Sequence, residues 1–233
     1  TVCGIFAIDE PPTGSSDPFA VRRAAIGVIA MLRTLPAVHL LPLIELALAS
    51  YAEQGIESDA QKVASSVAAF FQGRLAAIAK DEGIAPDAIE AVGAVGVIDP
   101  DEFVRRAAAL DRARSESPEL FEDLATAYAR AAHLANASLG TNVDSSVLGD
   151  AEKALLAACE EGEKAVSAAL AAGDFDAACE ALAGLRGPID RFFTDVLVMD
   201  PDPTVRDNRL RLLNRFAGVF GDVADIGALS KRK

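Results

Sequence analysis

The sequence predicts an all-α protein, a multi-helix bundle made of two packed helical subdomains. Apolar residues recur at three- and four-residue intervals in nearly every segment. Alanine is abundant, aromatic residues make up 6% of the chain and tryptophan is absent, a composition that favours helices. The pairs Asp17-Pro18, Asp99-Pro100, Ser117-Pro118 and Asp202-Pro203 each have the form of an N-cap followed by a first-turn proline. We expect Asp17 to accept hydrogen bonds from first-turn amides.

Periodicity and capping signals predict ten helices and no strand. Counted along the chain, the first, fifth, sixth and tenth predicted helices each begin at one of the four proline pairs. Glycines 55, 83, 173 and 187 stand where C-caps would end the second, third, seventh and eighth helices. The predicted ranges are 18–33, 38–53, 59–81, 86–95, 100–113, 117–137, 150–171, 175–185, 188–198 and 203–225. The longest run of turn-forming residues, 138–150, is the expected domain boundary.

Charge and cysteine content narrow the classes of function. The formal net charge of −13 argues against a general binder of nucleic acids or anionic membranes, since the summed field repels phosphate. Any contact with a polyanion must then be local. The longest apolar region, 24–50, is interrupted by Arg33, Pro36, His39 and Pro42, which predicts a soluble chain without a spanning helix. The start at Thr1 is interpreted as that of a fragment. The three cysteines lie far apart in the sequence, which suggests that each is a small core residue. This pattern is typical of a protein in a reducing compartment.

No catalytic or metal constellation is visible in the sequence. His39 and His133 are the only histidines, and neither has a ligand partner at helical spacing. His39 lies in AVHLLPL and is interpreted as a hydrogen-bonded core or interface residue. The loop PTGSS lacks the ending of a phosphate loop. Glu160, Glu161 and Glu163 are interpreted as a solvated helix face.

One segment differs in charge from the acidic remainder of the chain. Residues 201–233 hold seven bases against four acids. Leu210, Leu213, Phe216, Phe220 and Val223 form an apolar stripe, and Arg211 and Arg215 lie one turn apart on another face. From the pattern alone, this is either a solubilising face with Arg–Asp pairs or a surface for RNA. A further alternative is that Arg209 is packed and paired internally.

Three long segments resemble the C-terminal half of the beta subunit of bacterial heterotetrameric glycyl-tRNA synthetase. They are GIFAIDEPPTGSSDPFAVRRAAIGVI (4–29), VAAFFQGRLAAIAKDEGIAPDAIEAV (67–92) and IDRFFTDVLVMDPDPTVRDNRLRLLNRFAGVFGDVADIGAL (189–229). Ser16 stands where the family has a lysine, and Ala129 and His133 depart from the family's KRxxNI helix, so that only Arg130 is carried over from that motif.

The resemblance implies a domain order and a division of labour. It implies the end of an HD-type helical domain and linker at 1–57, a helical connector at 58–137, and the main part of a DALR-like anticodon-binding bundle at 138–233, with a start near 118 left open. The resemblance also implies a parent enzyme, glycine-tRNA ligase, that is a cytoplasmic heterotetramer and joins glycine to tRNA using ATP and Mg²⁺. Its aminoacylation site belongs to the alpha subunit, so this fragment is expected to be non-catalytic, without cofactor or metal.

The expected partners are tRNA(Gly) and the alpha subunit, with no membrane and no DNA. The expected tRNA-binding residues are Arg206, Arg209, Arg211, Arg215, Arg130, Arg74, Arg22 and Arg23, although a structural role for Arg22 or Arg23 is equally open. The alternative function is a non-catalytic helical scaffold that binds protein through GDFDAACEAL (173–182). A metal-dependent hydrolase is not favoured, since the His-Asp pair of HD domains is missing.

Overall fold

The computed structural model describes residues 1–35 and 37–231. Within these residues all ten predicted helices are present, and α1 is an additional one. The helices are α1 Val2–Ala7, α2 Val21–Leu32, α3 Leu40–Glu53, α4 Ala60–Asp81, α5 Pro86–Ala94, α6 Pro100–Glu116, α7 Pro118–Leu134, α8 Asp150–Ala172, α9 Phe175–Ala183, α10 Arg186–Asp195 and α11 Pro203–Gly221. Short 3₁₀ turns cover Ala137–Leu139, Ser145–Val147 and Ile226–Lys231. No strand occurs in the described part, which confirms the all-α prediction.

The chain divides into two compact units. The first contains residues 1–85 and 96–105, and the second contains residues 86–95 and 106–233. Spatial compactness is a different criterion from family domain boundaries, so the division predicted at 57/58 and 137/138 stays a prediction.

Helix α4 lies at the centre of the first unit. It contacts α1, α2 and α3 and buries Val67, Phe71, Leu75 and Ala79, four residues at a spacing of four that form one helical face. Helices α1 and α3 approach closely at Gly4, where an added Cβ atom would lie 2.6 Å from the Tyr51 ring. Any larger residue at this position would therefore displace Tyr51.

Helix α8 organises the second unit together with α11. It contacts α9, α10 and α11, while α7 packs against α10, α11 and the C-terminal 3₁₀ turn. Among the fully buried side chains are Leu155 of α8 and Phe192 of α10. Phe216 and Phe220 of α11 are also buried and stack edge to face at 5.2 Å between ring centroids. The predicted apolar stripe of the last helix is therefore the face that enters this core.

Several helix ends differ from prediction. Helix α2 begins at Val21 instead of residue 18, because Ala20 adopts a left-handed conformation (φ 54°) after the Asp-Pro pair. The Asp17 carboxylate still accepts hydrogen bonds from the amides of Val21 and Arg22, at 2.7 and 3.1 Å, as predicted. Gly173 is the left-handed C-cap of α8, as predicted, whereas Gly187 lies inside α10 and the helix before it ends at Ala183.

Asp99 was predicted to cap its own helix, but its carboxylate reaches the start of α3. It accepts a 2.6 Å hydrogen bond from the Leu40 amide and lies 2.7 Å from His39 Nδ1. His39 is hydrogen-bonded as expected, but its side chain is 60% exposed. It therefore does not lie in a core, and the alternative that it is an interface residue stays a prediction. None of the described helices is long and apolar enough to span a membrane.

Candidate nucleic-acid interface

Helix α11 carries four of the arginines predicted to bind tRNA. Asp202 caps the helix by accepting a hydrogen bond from the Thr204 amide, and Pro203 occupies its first turn, as the sequence predicts. The apolar face is buried, which leaves the arginines on the remaining faces. Their surroundings determine whether they are available to a ligand.

Arg209 is bound within the protein. Its Nε donates to Glu152 Oε1 of α8 at 2.7 Å, and its Nη1 donates to Asp200 Oδ2 at 2.7 Å and to the Leu197 carbonyl at 2.9 Å. The Arg209 and Glu152 side chains are only 16% and 7% exposed. Although burial alone would lower the pKa of Arg209, its bonds to the two carboxylates raise it. Arg209 is therefore paired internally, as one of the alternatives from the sequence proposed.

Arg215 is also engaged, on the next turns of the same helix. Its Nε and Nη2 each lie 2.7 Å from a carboxylate oxygen of Glu163, and Nη1 lies 3.2 Å from Glu160. The hydrogen bond to Arg215 lowers the pKa of Glu163. The interpretation of Glu160 and Glu163 as only a solvated face is therefore wrong, because both join α8 to α11.

A third face of α11 holds the segment between α7 and α8. Asn208 is buried, donates to the Asp144 carbonyl at 3.0 Å and accepts from the Asp144 amide at 2.8 Å. Arg211 donates from Nε to the Leu139 carbonyl at 3.2 Å. Asn214 exchanges hydrogen bonds with the backbone of Asn136 and donates to the Gly140 carbonyl at 2.8 Å. We call residues 136–149 the α7–α8 loop; α11 fixes its backbone.

Arg206 is the least engaged of these four arginines. The nearest carboxylate oxygen in an ion pair belongs to its neighbour Asp207, at 3.7 Å from Nε. Three of the four predicted arginines of α11 therefore stabilise the bundle, and the local positive charge counted from the sequence is largely balanced by acids of α8 and of the loop before α11.

Arg130 has different surroundings, on α7. It is exposed, and its guanidinium carbon lies 4.1 Å from the centroid of the Phe193 ring of α10. Unlike Arg209 and Arg215, it has no carboxylate or carbonyl partner among the residues that the structure describes. Its guanidinium carbon lies over an aromatic ring, and its N–H groups have no acceptor in the described part of the chain.

The remaining predicted arginines lie in the first unit. Arg74 has a buried Nε atom without a hydrogen-bond partner, and its guanidinium carbon lies 5.6 Å from the Phe70 ring centroid. Arg22 donates to the carbonyls of Gly14 and Ser16 at 2.7 and 3.4 Å and so closes the PTGSS loop. Arg23, next to it, is exposed and makes no ion pair in the described part of the chain. The open structural alternative therefore fits Arg22 and not Arg23.

The described residues contain no group of three or more His, Cys, Asp or Glu side chains that could hold a metal ion. All three cysteines are buried, as predicted for core residues.

Comparison with known proteins gives two family matches in order along the chain. Residues 1–94 match the family described as "Glycyl-tRNA synthetase beta subunit", and residues 124–226 match the "DALR anticodon binding domain". A beta subunit of glycine–tRNA ligase from Acinetobacter baylyi is 40% identical over 98% of this chain and 33% of its own length. The corresponding proteins of Magnetococcus marinus and Haemophilus influenzae are 39% and 38% identical, over 98% of this chain and 34% and 33% of their own lengths.

The chain is similar to the C-terminal part of glycyl-tRNA synthetase beta subunits. It spans about a third of the length of the curated relatives it matches. Arg22, Arg23 and Arg74 lie in the region of the beta-subunit match, whereas Arg130 and the arginines of α11 lie in that of the anticodon-binding match.

Sequence reasoning missed two kinds of residue at this site. Glu152 and Asp200 bind Arg209 from outside the basic segment, and Glu152 lies 57 positions away, so local spacing gives no signal for the pair. Phe193 had a signal, because Phe192 and Phe193 are adjacent on a helix. Adjacent residues point about 100° apart, so both rings cannot centre on one buried face.

Proposed function

We propose that this chain is the tRNA-binding, anticodon-binding portion of the beta subunit of glycine–tRNA ligase. The observation that carries the proposal is the anticodon-binding match over residues 124–226, which extends from α7 to the end of α11 in the second unit. The partners are tRNA(Gly) and the alpha subunit, in the cytoplasm. The holoenzyme joins glycine to tRNA with ATP and Mg²⁺ at the alpha subunit, and this chain alone catalyses nothing.

The pairing pattern supports two different roles for the arginines, one in stabilising the bundle and one in contacting RNA. Arg209, Arg211 and Arg215 hold α11 against α8 and the α7–α8 loop, and so keep the bundle rigid. The RNA contact then falls to arginines without such bonds, with Arg130 in the second unit as the leading example. Arginine suits this task because its planar fork serves both phosphates and base edges.

The test is a binding titration of the chain with tRNA(Gly) and with the same tRNA carrying a changed anticodon. We expect tighter binding of the natural anticodon, and no glycyl-tRNA when glycine, ATP and Mg²⁺ are added. Equal affinity for both tRNAs would contradict anticodon reading. Glycyl-tRNA formed by the pure chain would contradict the assignment of catalysis to the alpha subunit.

A protein-interaction scaffold is the second candidate, favoured by apolar side chains exposed on the first unit. Nine large ones lie between residues 8 and 46: Ile8, Phe19, Ile26, Met31, Leu35, Val38, Leu41, Leu43 and Leu46. A groove of about 770 Å³ lies between α3 and α4. By contrast, the apolar residues of segment 173–182, through which the sequence suggested protein binding, are buried: Phe175, Ala178, Cys179 and Leu182. Because the relatives are named beta subunits, the alpha subunit is the proposed occupant.

Two leucines give a matched pair for testing this second candidate. Leu46 in the first unit and Leu197 in the second are each 66% exposed. If the first unit binds the alpha subunit, Leu46→Ser weakens that binding and Leu197→Ser leaves it unchanged. The affinity of each variant is measured by calorimetry with purified alpha subunit. Equal affinities of the two variants would contradict binding through the apolar surface of the first unit.

A further inference from the structure

Arg130 and Phe193 form a stacked pair on the outside of the second unit. The guanidinium carbon lies 4.1 Å above the ring, within van der Waals contact. Arg130 is exposed and Phe193 is half-buried. The pair therefore presents a planar, positively charged group that lies over an aromatic ring and is exposed to solvent.

The helices beneath this pair are held in place at two points. Two turns before Arg130 on α7, Asp123 pairs with Arg186, which itself lies two turns before Phe193 on α10. Phe193 also packs edge to face on Phe192, at 5.5 Å between centroids, and Phe192 is fully buried. Helices α7 and α10 are thus joined before any ligand arrives, which reduces the entropy that binding would cost.

Arg130 differs from the other arginines of this unit in its partners. In residues 106–231 as described, each of the others donates to a backbone carbonyl or lies within 4 Å of a carboxylate oxygen. Those bonds account for their positions in the fold. The fold leaves the N–H donors of Arg130 available to an outside acceptor.

We propose that Arg130 and Phe193 are a stacking platform for one unpaired RNA base. Unstacked bases of single-stranded loops are bound on arginine planes and aromatic rings, with hydrogen bonds to their edges. Here the base lies on the exposed face of the guanidinium, and the free N–H groups, which lie in the guanidinium plane, donate to acceptors on the edge of a neighbouring base. The inference rests on the proposed tRNA-binding function and adds Phe193 and the mode of contact to it.

The chemistry separates stacking from simple attraction of phosphate. Lysine keeps the positive charge but has no plane, so Arg130→Lys retains a phosphate contact and loses a stacking contact. Loss of one stacked base weakens binding by about 5- to 150-fold and depends little on salt. Loss of a phosphate contact reduces the slope of log affinity against log salt by about one.

The experiment measures the affinity of the chain for tRNA(Gly) at several salt concentrations, with melting temperatures for every variant. Arg130→Ala, Arg130→Lys and Phe193→Leu are compared with two controls. Arg191→Ala removes another exposed arginine from α10, and Phe19→Leu removes an exposed ring from the first unit. A second readout is the fluorescence of 2-aminopurine placed at each anticodon-loop position, which is quenched when the base stacks.

We expect the two Arg130 variants to lose affinity to the same degree, with an unchanged salt slope and without quenching, while the controls bind like the wild type. Arg130→Lys with wild-type affinity would overturn the platform, as would affinity unaffected by all three variants. In both cases tRNA still binds the wild-type chain, so the proposed function survives. If the wild-type chain binds no tRNA(Gly), the proposed function fails and the platform fails with it.

Discussion

Arg209 is the arginine of α11 whose replacement we expect to cost the most stability. Arg209→Ala would leave Glu152, a carboxylate only 7% exposed, without its cation. Removing one partner of a largely buried pair costs about 3 kcal/mol of unfolding free energy, because the remaining charge stays desolvated. Urea denaturation followed by circular dichroism measures this loss.

Two comparisons give this prediction its control. Arg206→Ala, on the same helix but with only a 3.7 Å ion pair to its neighbour, is expected to change the unfolding free energy by less than about 0.5 kcal/mol. The double variant Arg209→Ala with Glu152→Gln removes the stranded charge and should recover part of the loss. An equal loss of unfolding free energy in Arg206→Ala and Arg209→Ala would contradict a stabilising ion pair between Arg209 and Glu152.

The buried cysteines are expected to be unreactive in the folded protein. Burial raises the pKa of Cys159 and of Cys179 to about 12 and also raises the pKa of Cys3. At pH 8 a thiol with that value is ionised in about 1 molecule in 10,000, and the thiolate is the reactive form. Ellman's reagent should detect no native thiol, three in guanidinium, and one in the folded control Ser15→Cys. Rapid reaction of a native thiol would contradict this burial.

At the scale of elements, the pairing of Arg215 with Glu163 connects α11 to α8 in a pH-dependent way. The pKa of Glu163 is lowered in the fold by its bond to Arg215. Its stabilising contribution is therefore full above the unfolded pKa of about 4.3 and is lost as the pH falls through the lower folded value. Arg215→Gln should melt below the wild type at pH 7, and the difference should shrink below about pH 4. A constant difference would exclude this linkage.

Asn208 fixes the α7–α8 loop to α11 through both backbone groups of Asp144. Asn208→Ala would leave a buried donor and acceptor unpaired, at a cost of about 1–3 kcal/mol. We expect faster amide hydrogen exchange across residues 136–149, while exchange in α8 stays slow. The control Asn142→Ala changes an exposed residue of the same loop and should exchange like the wild type. Unchanged exchange in Asn208→Ala would show that other contacts hold the loop.

The sequence predicts helices better than it predicts their ends or contacts. A 3.6-residue period is repeated along each helix, which is why all ten predicted helices are present. The start of α2 depends on one left-handed residue, Ala20, and α1 is a six-residue helix without a side-chain cap. The sequence shows the turn segment 138–150 only as a domain boundary. Its bonds to Asn208 and Asn214 give no local signal, because they join residues more than 60 positions apart.

At the scale of the whole molecule, charge limits how RNA can be held. The net charge of −13 repels a polyanion, and the α11 arginines that the sequence offers against it are largely paired with acids. Binding of tRNA must then come from a few local contacts, such as the base contact proposed for Arg130 and a phosphate contact at Arg23. Each phosphate contact releases counterions and contributes to the salt dependence of binding.

We therefore expect a shallow salt dependence for tRNA(Gly) binding. With two or three phosphate contacts, the slope of log affinity against log salt is about −2, so affinity falls about 15-fold between 50 and 200 mM salt. A protein with a broad basic face and 6–10 contacts would lose about 10³–10⁵ over the same range. Arg23→Ala should reduce the slope by about one if Arg23 meets a phosphate, whereas Arg22→Ala, whose guanidinium closes its own loop, serves as the adjacent control. A steep slope in the wild-type chain would contradict this prediction, because it requires a broad basic surface, and the described arginines do not form one.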